Sequence, residues 1–218
     1  MTIDLLLFDL DDTLYASSSG IWSLIRERID LFMISKLGYQ HEHVPSAREN
    51  FFRKYGTTLR GLESVHHIDP LEYLHFVHDV PIHEYLSPNS KLKSMLANIK
   101  QRKAIFTNGD RWHAQRVTDA LQISEHFHQT IDVLDVSPYC KPMIESFNIA
   151  FEQLGILETQ NVLFIDDNLQ NVKMAEKLGL QTVWVAENGH NPNGEYNQIE
   201  KIEDLLDVYP DMKFDRIT

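Results

Sequence analysis

Three short apolar runs in the chain each end in polar side chains. The runs occupy residues 5–8, 104–106 and 162–165, and the first strand is expected to begin at Ile3. The polar side chains that follow them are Asp9 and Asp11, Thr107 and Asn108, and Asp166 and Asp167. Runs of this length without polar alternation are typical of strands buried on both faces of a parallel sheet. Because the carboxyl ends of parallel strands lie at one edge of the sheet, we expect these side chains to lie close together.

The segments around these runs have the spacing of helices and further strands. Apolar residues recur at helical intervals in residues 112–121, 142–154 and 169–178, whereas residues 131–133 and 182–185 form two more strand-like runs. Strands that alternate with helices pair in parallel through right-handed crossovers. The sequence therefore predicts an α/β fold with helices on both faces of a parallel sheet, a three-layer α/β/α core.

A helical segment interrupts this alternation after the first strand. A long amphipathic stretch follows Gly20 and ends near Gly38, and prolines and glycines divide the next part of the chain into helical patches without a strand pattern. We predict an all-helical cap at residues 16–87. It is inserted into a catalytic core made of residues 1–15 and 88–218.

A few residues predict where helices begin and where a loop is exposed. Ser87 and Pro88 have the character of an N-cap and a first helical residue. Asp166 and Asp167 precede a predicted helix, and one of them is a candidate N-cap for it. Residues 187–197 are rich in glycine and asparagine, which predicts an exposed loop.

The charge of the chain limits its partners. Its 20 basic and 32 acidic residues give a formal net charge of −12, so we expect neither a nucleic-acid polymer nor an anionic membrane as partner. The single cysteine, Cys140, allows no internal disulfide. No apolar run approaches the roughly 20 residues of a membrane span, and the first run lacks the basic flank of a signal peptide. We expect a soluble cytoplasmic protein.

Several carboxylates at one sheet edge require a compensating cation. Two like charges about 4 Å apart repel by roughly 4 kcal/mol at an effective dielectric constant near 20. Magnesium fits such a site, because it binds through one or two carboxylates together with substrate phosphate and water. Lys141, just before the predicted helix 142–154, is a candidate for a second positive charge. The expected substrate is therefore a small phosphorylated metabolite.

The order of these residues resembles the four motifs of the haloacid dehalogenase (HAD) superfamily of phosphohydrolases. The matching segments are Phe8-Asp9-Leu10-Asp11-Asp12-Thr13, Thr107-Asn108, Lys141-Pro142 and Ile165-Asp166-Asp167-Asn168. The resemblance implies a Rossmann-like core. It also implies that Asp9 is a nucleophile that forms an aspartyl-phosphate, and that Asp11 protonates the leaving group and then activates water.

The same resemblance implies roles for the other motif residues. Magnesium would be bound by the Asp9 carboxylate, the Asp11 main-chain oxygen and Asp166, with Asp167 behind them holding water molecules or Lys141. The remaining groups would act on the phosphoryl group. Thr107 and Asn108 would donate hydrogen bonds to its oxygens, and Lys141 would neutralise charge.

A closer resemblance concerns the substrate. Residues 8–15, 18–21, 55–62 and 106–111 are similar to the pyrimidine 5'-nucleotidase group of fungi and plants. This resemblance implies a nucleoside 5'-monophosphate, pyrimidine first, and Arg60 in the cap is a candidate contact for its base or phosphate. The alternatives are a phosphatase for a sugar phosphate, phosphoglycolate or pyridoxal phosphate, a metal-independent dehalogenase, and a non-catalytic phosphate sensor.

The histidines and the cysteine offer weaker hypotheses. His75 and His78 at helical spacing, and the adjacent His66 and His67, are candidates for a dedicated metal site, but a wet cap surface explains them as well. Cys140 lies beside Lys141, yet no histidine accompanies it in a recognisable nucleophile motif, which favours a small, partly buried structural residue. The oligomeric state stays open.

Overall fold

A parallel sheet forms the centre of the computed structural model, which describes residues 3–187, 189, 191 and 194–210. Within these residues the sheet has six strands in the order β3-β2-β1-β4-β5-β6. The strands are β1 (Leu5–Phe8), β2 (Arg102–Phe106), β3 (Gln129–Ile131), β4 (Val162–Asp166), β5 (Gln181–Val185) and β6 (Gln198–Ile199). All neighbouring pairs are parallel, which confirms the predicted α/β class.

Strand β1 lies in the middle of the sheet, and its residues alternate between two cores. Leu6 and Phe8 belong to one buried apolar cluster, and Leu5 and Leu7 belong to the other. The register pairs Phe8 with Ile105 on one side and with Ile165 on the other. The residues that follow β1, β2 and β4 therefore leave the sheet at the same edge.

The helices cover both faces of the sheet and fill the segment after β1. They are α1 (Ile21–Leu37), α2 (Val44–Tyr55), α3 (Thr58–His66), α4 (Pro70–Val77), α5 (Ile82–Tyr85), α6 (Ser90–Ala97), α7 (Arg111–Leu121), α8 (Ile144–Leu154), α9 (Leu169–Lys177) and α10 (Leu205–Val208). Buried residues of α6, α7 and α10 pack on the Phe8 side, and those of α8 and α9 pack mainly on the Leu7 side. In the described part of the chain, no helix has both the length and the apolar character that a bilayer crossing requires.

Helices α1–α5 lie between β1 and α6, as the helical patches in the sequence predict. We call residues 16–87 the helical insert. Gly38 ends α1 with a φ of 73°, a left-handed conformation that glycine adopts without steric cost, and its N–H bonds to Ile34 O and Met33 O. Inside the insert, α1 packs on α4 and α2 packs on α3.

Several expected element ends are wrong by a few residues. Asn89, not Ser87, is the N-cap of α6, because its side chain accepts a hydrogen bond from Leu92 N. Likewise Asn168, not Asp166 or Asp167, caps α9 through Gln170 N. In both cases a neighbouring asparagine supplies the acceptor for the first turn of the helix. Asp166 and Asp167 therefore do not cap α9 and remain available to the site.

The third strand and the C-terminal part of the core also differ from expectation. Strand β3 ends at Ile131, whereas the sequence predicts a strand at residues 131–133. Strand β6 has only two residues, too few for an apolar pattern that would predict a strand. The expected loop at residues 187–197 lies partly outside the described residues. So does the end of the expected core segment, beyond residue 210.

Candidate functional site

The carboxyl edge of the sheet brings the predicted motif residues together. Asp9 directly follows β1, and its N–H bonds to Ile165 O at 2.8 Å, which keeps the chain in register with β4 just beyond the strand. On the other side Thr107 follows β2, and its N–H bonds to Ile131 O at 3.0 Å. Asp166 is the last residue of β4. Thus three strands that are far apart in sequence present polar residues to one place.

Lys141 lies at the centre of this edge. Its Nζ atom is 2.7 Å from Asp9 Oδ1, from Asp166 Oδ2 and from Phe106 O. The side chain is almost fully buried, at 1% exposure. Burial alone would lower the pKa of Lys141, but the two carboxylates raise it above its usual value. Lys141 is therefore kept in its charged form, and it bonds to three separate segments of the chain.

Asn108 positions Lys141 through the main chain. Its Oδ1 accepts from Lys141 N at 2.9 Å, and its Nδ2 donates to Lys141 O at 3.0 Å. The side-chain amide of Asn108 therefore holds the loop that carries the lysine, and its expected donation to phosphoryl oxygens stays a prediction. Thr107 is buried, and its Oγ1 accepts from Gly109 N at 2.9 Å, so its hydroxyl hydrogen remains available to a ligand.

Three carboxylates form a cluster beside Lys141. Asp9, Asp166 and Asp167 each offer an oxygen, and these oxygens lie within 4.8 Å of one another. Burial, together with the neighbouring carboxylates, raises the pKa of Asp9 to about 7 and that of Asp167 to about 9, although Lys141 acts in the opposite direction on both. One lysine does not neutralise two buried carboxylates and a third that is half-buried. The donor set is therefore suited to a hard divalent cation such as magnesium.

The hydrogen bonds distinguish the two aspartates at the end of β4. Asp166 accepts from Lys141 Nζ, from Asn168 N and from Asn171 Nδ2, and these bonds engage both of its oxygens. Asp167 is more exposed and lines the cavity above the sheet edge. We expected Asp167 to hold water molecules or Lys141, and the second alternative is wrong, because the lysine bonds to Asp166 at the end of the strand.

Asp11 makes contacts that the sequence did not indicate. Its Oδ1 accepts from Tyr15 OH at 2.5 Å and lies 2.7 Å from His113 Nε2. Burial alone would raise the pKa of Asp11, but His113 and Tyr15 lower it below its usual value. Sequence reasoning missed His113. The only available signal was its place in the first turn of the helix that begins at the same sheet edge.

A cavity of about 520 Å³ lies over this edge. The core contributes Asp9, Asp11, Thr107, Lys141 and Asp167 to its lining, and the helical insert contributes the opposite wall. Among the insert residues in that wall are Trp22, Arg26, Arg48 and Phe52. The site is thus enclosed between two parts of the chain that the sequence pattern separates.

The family model for haloacid dehalogenase-like hydrolases matches residues 3–179 of the chain. The chain belongs to this family. A relative from Saccharomyces cerevisiae, Phosphate metabolism protein 8, is 31% identical over 190 residues, which cover 79% of this chain. The same match covers 58% of the yeast protein, so the chain spans less than two thirds of the length of this relative.

Solved HAD structures share the fold at low sequence identity. The HAD-hydrolase YfnB from Bacillus subtilis, solved bound to magnesium, matches with a TM-score of 0.66 and 18% identity over 95% of this chain and 99% of that one. The L-2-haloacid dehalogenase from Xanthobacter autotrophicus, solved with chloropropionic acid covalently bound, matches with a TM-score of 0.61 and 16% identity, covering 96% and 99%. Because both hydrolases and dehalogenases share this architecture, the fold alone does not choose between their chemistries.

Arg60 of this HAD chain does not line the cavity, contrary to the expectation of a substrate contact. It lies in α3 and is 5% exposed. Its guanidinium donates to Tyr139 O, Val133 O and Glu63 Oε2 at 2.5–3.0 Å. The arginine therefore fastens the helical insert to the core loop that leads into Lys141.

We predict that Arg60→Met lowers the free energy of unfolding by about 2–4 kcal/mol, because charged hydrogen bonds to buried carbonyls are lost. Urea denaturation with and without the substitution measures this cost. Arg53→Met is the matched control. Arg53 is exposed and, among the described residues, bonds only within α2, to Asn50, so its loss should cost at most about 0.5 kcal/mol. Equal costs for the two variants would contradict the assignment of Arg60 as a fastening residue.

Three of the four candidate histidines and Cys140 have local partners. His75 packs against Trp112, His66 bonds to Tyr39 OH, and His78 bonds to Asp110. Cys140 is buried, and its Sγ lies 3.4 Å from Tyr55 O. Burial raises the pKa of the Cys140 thiol, which opposes a nucleophilic role.

Proposed function

We propose that the chain is a magnesium-dependent phosphatase that transfers a phosphoryl group to Asp9 and then to water. The observation that carries the proposal is the pair of bonds from Lys141 Nζ to Asp9 Oδ1 and Asp166 Oδ2 beside a third carboxylate. A buried lysine that orients a carboxylate at the mouth of a cavity supports an in-line attack on phosphorus. The substrate is a small phosphomonoester.

The residues of the site divide the reaction into two displacements. A carboxylate oxygen of Asp9 attacks phosphorus, the bond to the leaving oxygen breaks, and Asp11 gives that oxygen a proton. Asp11 then takes a proton from water as the water oxygen attacks phosphorus, and the bond to Asp9 breaks. Lys141 and the Thr107 hydroxyl stabilise the charge on the phosphoryl oxygens.

The carboxylate cluster supports magnesium as the cofactor. When bound, the ion would neutralise the phosphoryl oxygens during transfer. We propose that Asp9 and Asp167 face it, because Asp166 already uses both oxygens on Lys141, Asn168 and Asn171. This exchanges the roles that the family resemblance implied for Asp166 and Asp167, whereas the main-chain oxygen of Asp11 stays a prediction.

The cavity wall supports a nucleoside 5'-monophosphate as substrate, pyrimidine first. Trp22 and Phe52 are 38% and 53% exposed although large and apolar, and both face the cavity that contains Asp9. An exposed aromatic ring can stack on a base. The helical insert would close over the bound substrate and exclude bulk water. Sugar phosphates, phosphoglycolate and pyridoxal phosphate are the alternatives.

A panel of phosphomonoesters with and without magnesium tests the proposed function. We expect phosphate release from uridine and cytidine 5'-monophosphate that requires magnesium and is lost with EDTA. A 2-haloacid belongs in the panel, because the dehalogenase alternative predicts halide release without metal. Halide release, or no turnover of any phosphomonoester, would refute the phosphatase. Preference for a sugar phosphate would refute only the nucleotide assignment.

The raised pKa values predict how pH affects the metal-free protein. Asp9 and Asp167 have folded-state pKa values of about 7 and about 9, above the ordinary value of 3.8 that applies when the chain unfolds. At these two carboxylates the folded protein holds more protons than the unfolded chain between about pH 4 and pH 9, so their contribution to stability falls as pH rises.

Magnesium should reverse this trend, because it binds the deprotonated carboxylates. Below pH 6.5, the ordinary pKa of histidine, the lowered pKa of buried His78 acts in the opposite direction. Thermal unfolding in EDTA is therefore expected to show a melting temperature that declines from pH 7 to pH 8.5, with the largest gain from magnesium at pH 8.5. Asp167→Asn should flatten the slope in EDTA and reduce the gain from magnesium. A metal-free melting temperature that rises with pH over this interval would show that the carboxylates are not mutually repelling in the folded state.

A further inference from the structure

His113 contacts the acid–base carboxylate from a fully enclosed position. Its side chain has 0% exposure, and its Nε2 lies 2.7 Å from Asp11 Oδ1. A carboxylate only accepts hydrogen bonds, so the hydrogen in this bond is on Nε2. The other ring nitrogen, Nδ1, is buried and has no hydrogen-bond partner among the described residues. The bond from Nε2 to Asp11 is therefore the hydrogen bond that the His113 ring makes among the described residues.

The two donors on Asp11 select one of its oxygens. His113 Nε2 and Tyr15 OH both bond to Oδ1, and an oxygen of this type has two lone-pair directions. No described residue bonds to Oδ2. Although both donors lower the pKa of Asp11, the proton that Asp11 takes up for acid catalysis belongs on Oδ2, because the bonds at Oδ1 fix the carboxyl plane.

The helical insert holds His113 in place. Asp110 caps α7 by accepting from His113 N at 2.8 Å, and its other oxygen is 2.6 Å from His78 Nδ1. The rings of His78 and His113 stack at 4.2 Å with an angle of 11° between them. Arg116 of α7 adds bonds to the main-chain oxygens of His78 and Val80. His78 and Val80 belong to the insert, so its docking completes the surroundings of His113.

We propose that His113 is a positioning residue for Asp11, supported across the boundary by His78 of the helical insert. This inference rests on the proposed phosphatase function. His113 fixes the carboxyl group so that the Oδ2 proton moves to the leaving oxygen while the bond from that oxygen to phosphorus breaks and the bond from Asp9 to phosphorus forms. The insert thereby contributes to acid catalysis as well as to enclosure of the substrate.

A residue that orients a general acid has a signature that a purely structural residue lacks. The acid matters for a poor alkoxide leaving group and little for a good leaving group such as p-nitrophenolate, which departs without a proton. Loss of His113 should therefore slow the two classes of substrate unequally. A general loss of folding or of cofactor binding slows them alike.

The experiment measures the rate constant of the first turnover for uridine 5'-monophosphate and for p-nitrophenyl phosphate, with saturating magnesium. His113→Leu removes the donor and keeps an apolar side chain, whereas His113→Gln keeps a neutral donor at similar reach. For His113→Leu we expect a loss of about 100-fold with the nucleotide and at most about threefold with p-nitrophenyl phosphate. For His113→Gln we expect most of the nucleotide rate to be recovered.

His78→Ala tests the part of the proposal that concerns the insert. It removes the stacked ring and the bond to Asp110, and we expect a selective loss on the nucleotide of about tenfold. If the wild type turns over neither substrate, the proposed function itself fails. If the wild type is active and His113→Leu slows both substrates equally or neither, the role of His113 is refuted. If only His78→Ala lacks the selective loss, the contribution of the insert is refuted.

Discussion

Asp9→Asn is expected to lower kcat for phosphomonoesters at least about 10⁴-fold, the scale of loss that follows removal of a catalytic nucleophile. An amide is almost the same size as a carboxylate but does not form the acyl-phosphate. The substitution also removes one of three mutually repelling carboxylates. The metal-free variant should therefore be as stable as the wild type at pH 8, or more stable.

Steady-state phosphate release and thermal unfolding of the same preparation separate the two effects. Asp4→Asn is the matched control, because Asp4 lies just before β1, at the end of the strand opposite Asp9, and bonds to Asn161 on the exposed surface. Its activity should stay within about twofold of the wild type. A fully active Asp9→Asn enzyme would contradict the assignment of Asp9 as the nucleophile.

Lys141→Met is the second large effect, and it concerns stability as well as activity. The substitution leaves Asp9 and Asp166 buried without their shared cation, and removal of one partner from a buried ion pair costs about 3–5 kcal/mol. We expect this loss in urea unfolding at pH 8 without metal. The activity should fall below detection, because the phosphoryl group loses its fixed cation.

Another buried lysine provides the control for Lys141. Lys103 in β2 is 8% exposed, but within the described part of the chain its Nζ bonds only to the main-chain oxygens of Ile99 and Gln101. Lys103→Met should cost about 1–2 kcal/mol and leave kcat unchanged. Equal destabilisation by the two substitutions would mean that the carboxylates around Lys141 do not depend on its charge.

The strand ends were predictable because the apolar runs that precede them have no other stable place than the middle of a parallel sheet. Asp9, Thr107 and Asp166 each follow such a run, so their meeting at one edge follows from topology. The Lys141 contact with Asp9 was predictable only through the family motif. Its loop contains no strand or helix pattern that fixes where the side chain points.

The contacts of Asp11 and Arg60 were not predictable from the sequence. His113 reaches Asp11 because α7 begins at the carboxyl edge of the sheet, and the rotation of that helix depends on packing that a linear pattern does not contain. Arg60 was expected to contact the substrate, but α3 carries it against the carbonyl group of Tyr139. Arg60 bonds across the boundary between the insert and the core, and His113 lies beside that boundary. Local propensity gives no information about contacts of this kind.

The most direct test of the account is to trap the phosphoryl group on Asp9. Asp11→Asn lacks the base for the second displacement, and p-nitrophenyl phosphate does not need the acid for the first. With magnesium, this variant should release a burst of about one nitrophenolate per protein molecule and then nearly stop. Mass spectrometry after acid quench should find a hydroxylamine-sensitive phosphoryl group on the peptide that contains Asp9. Continued turnover without that modification, or the same label in an Asp9→Asn, Asp11→Asn protein, would contradict the account.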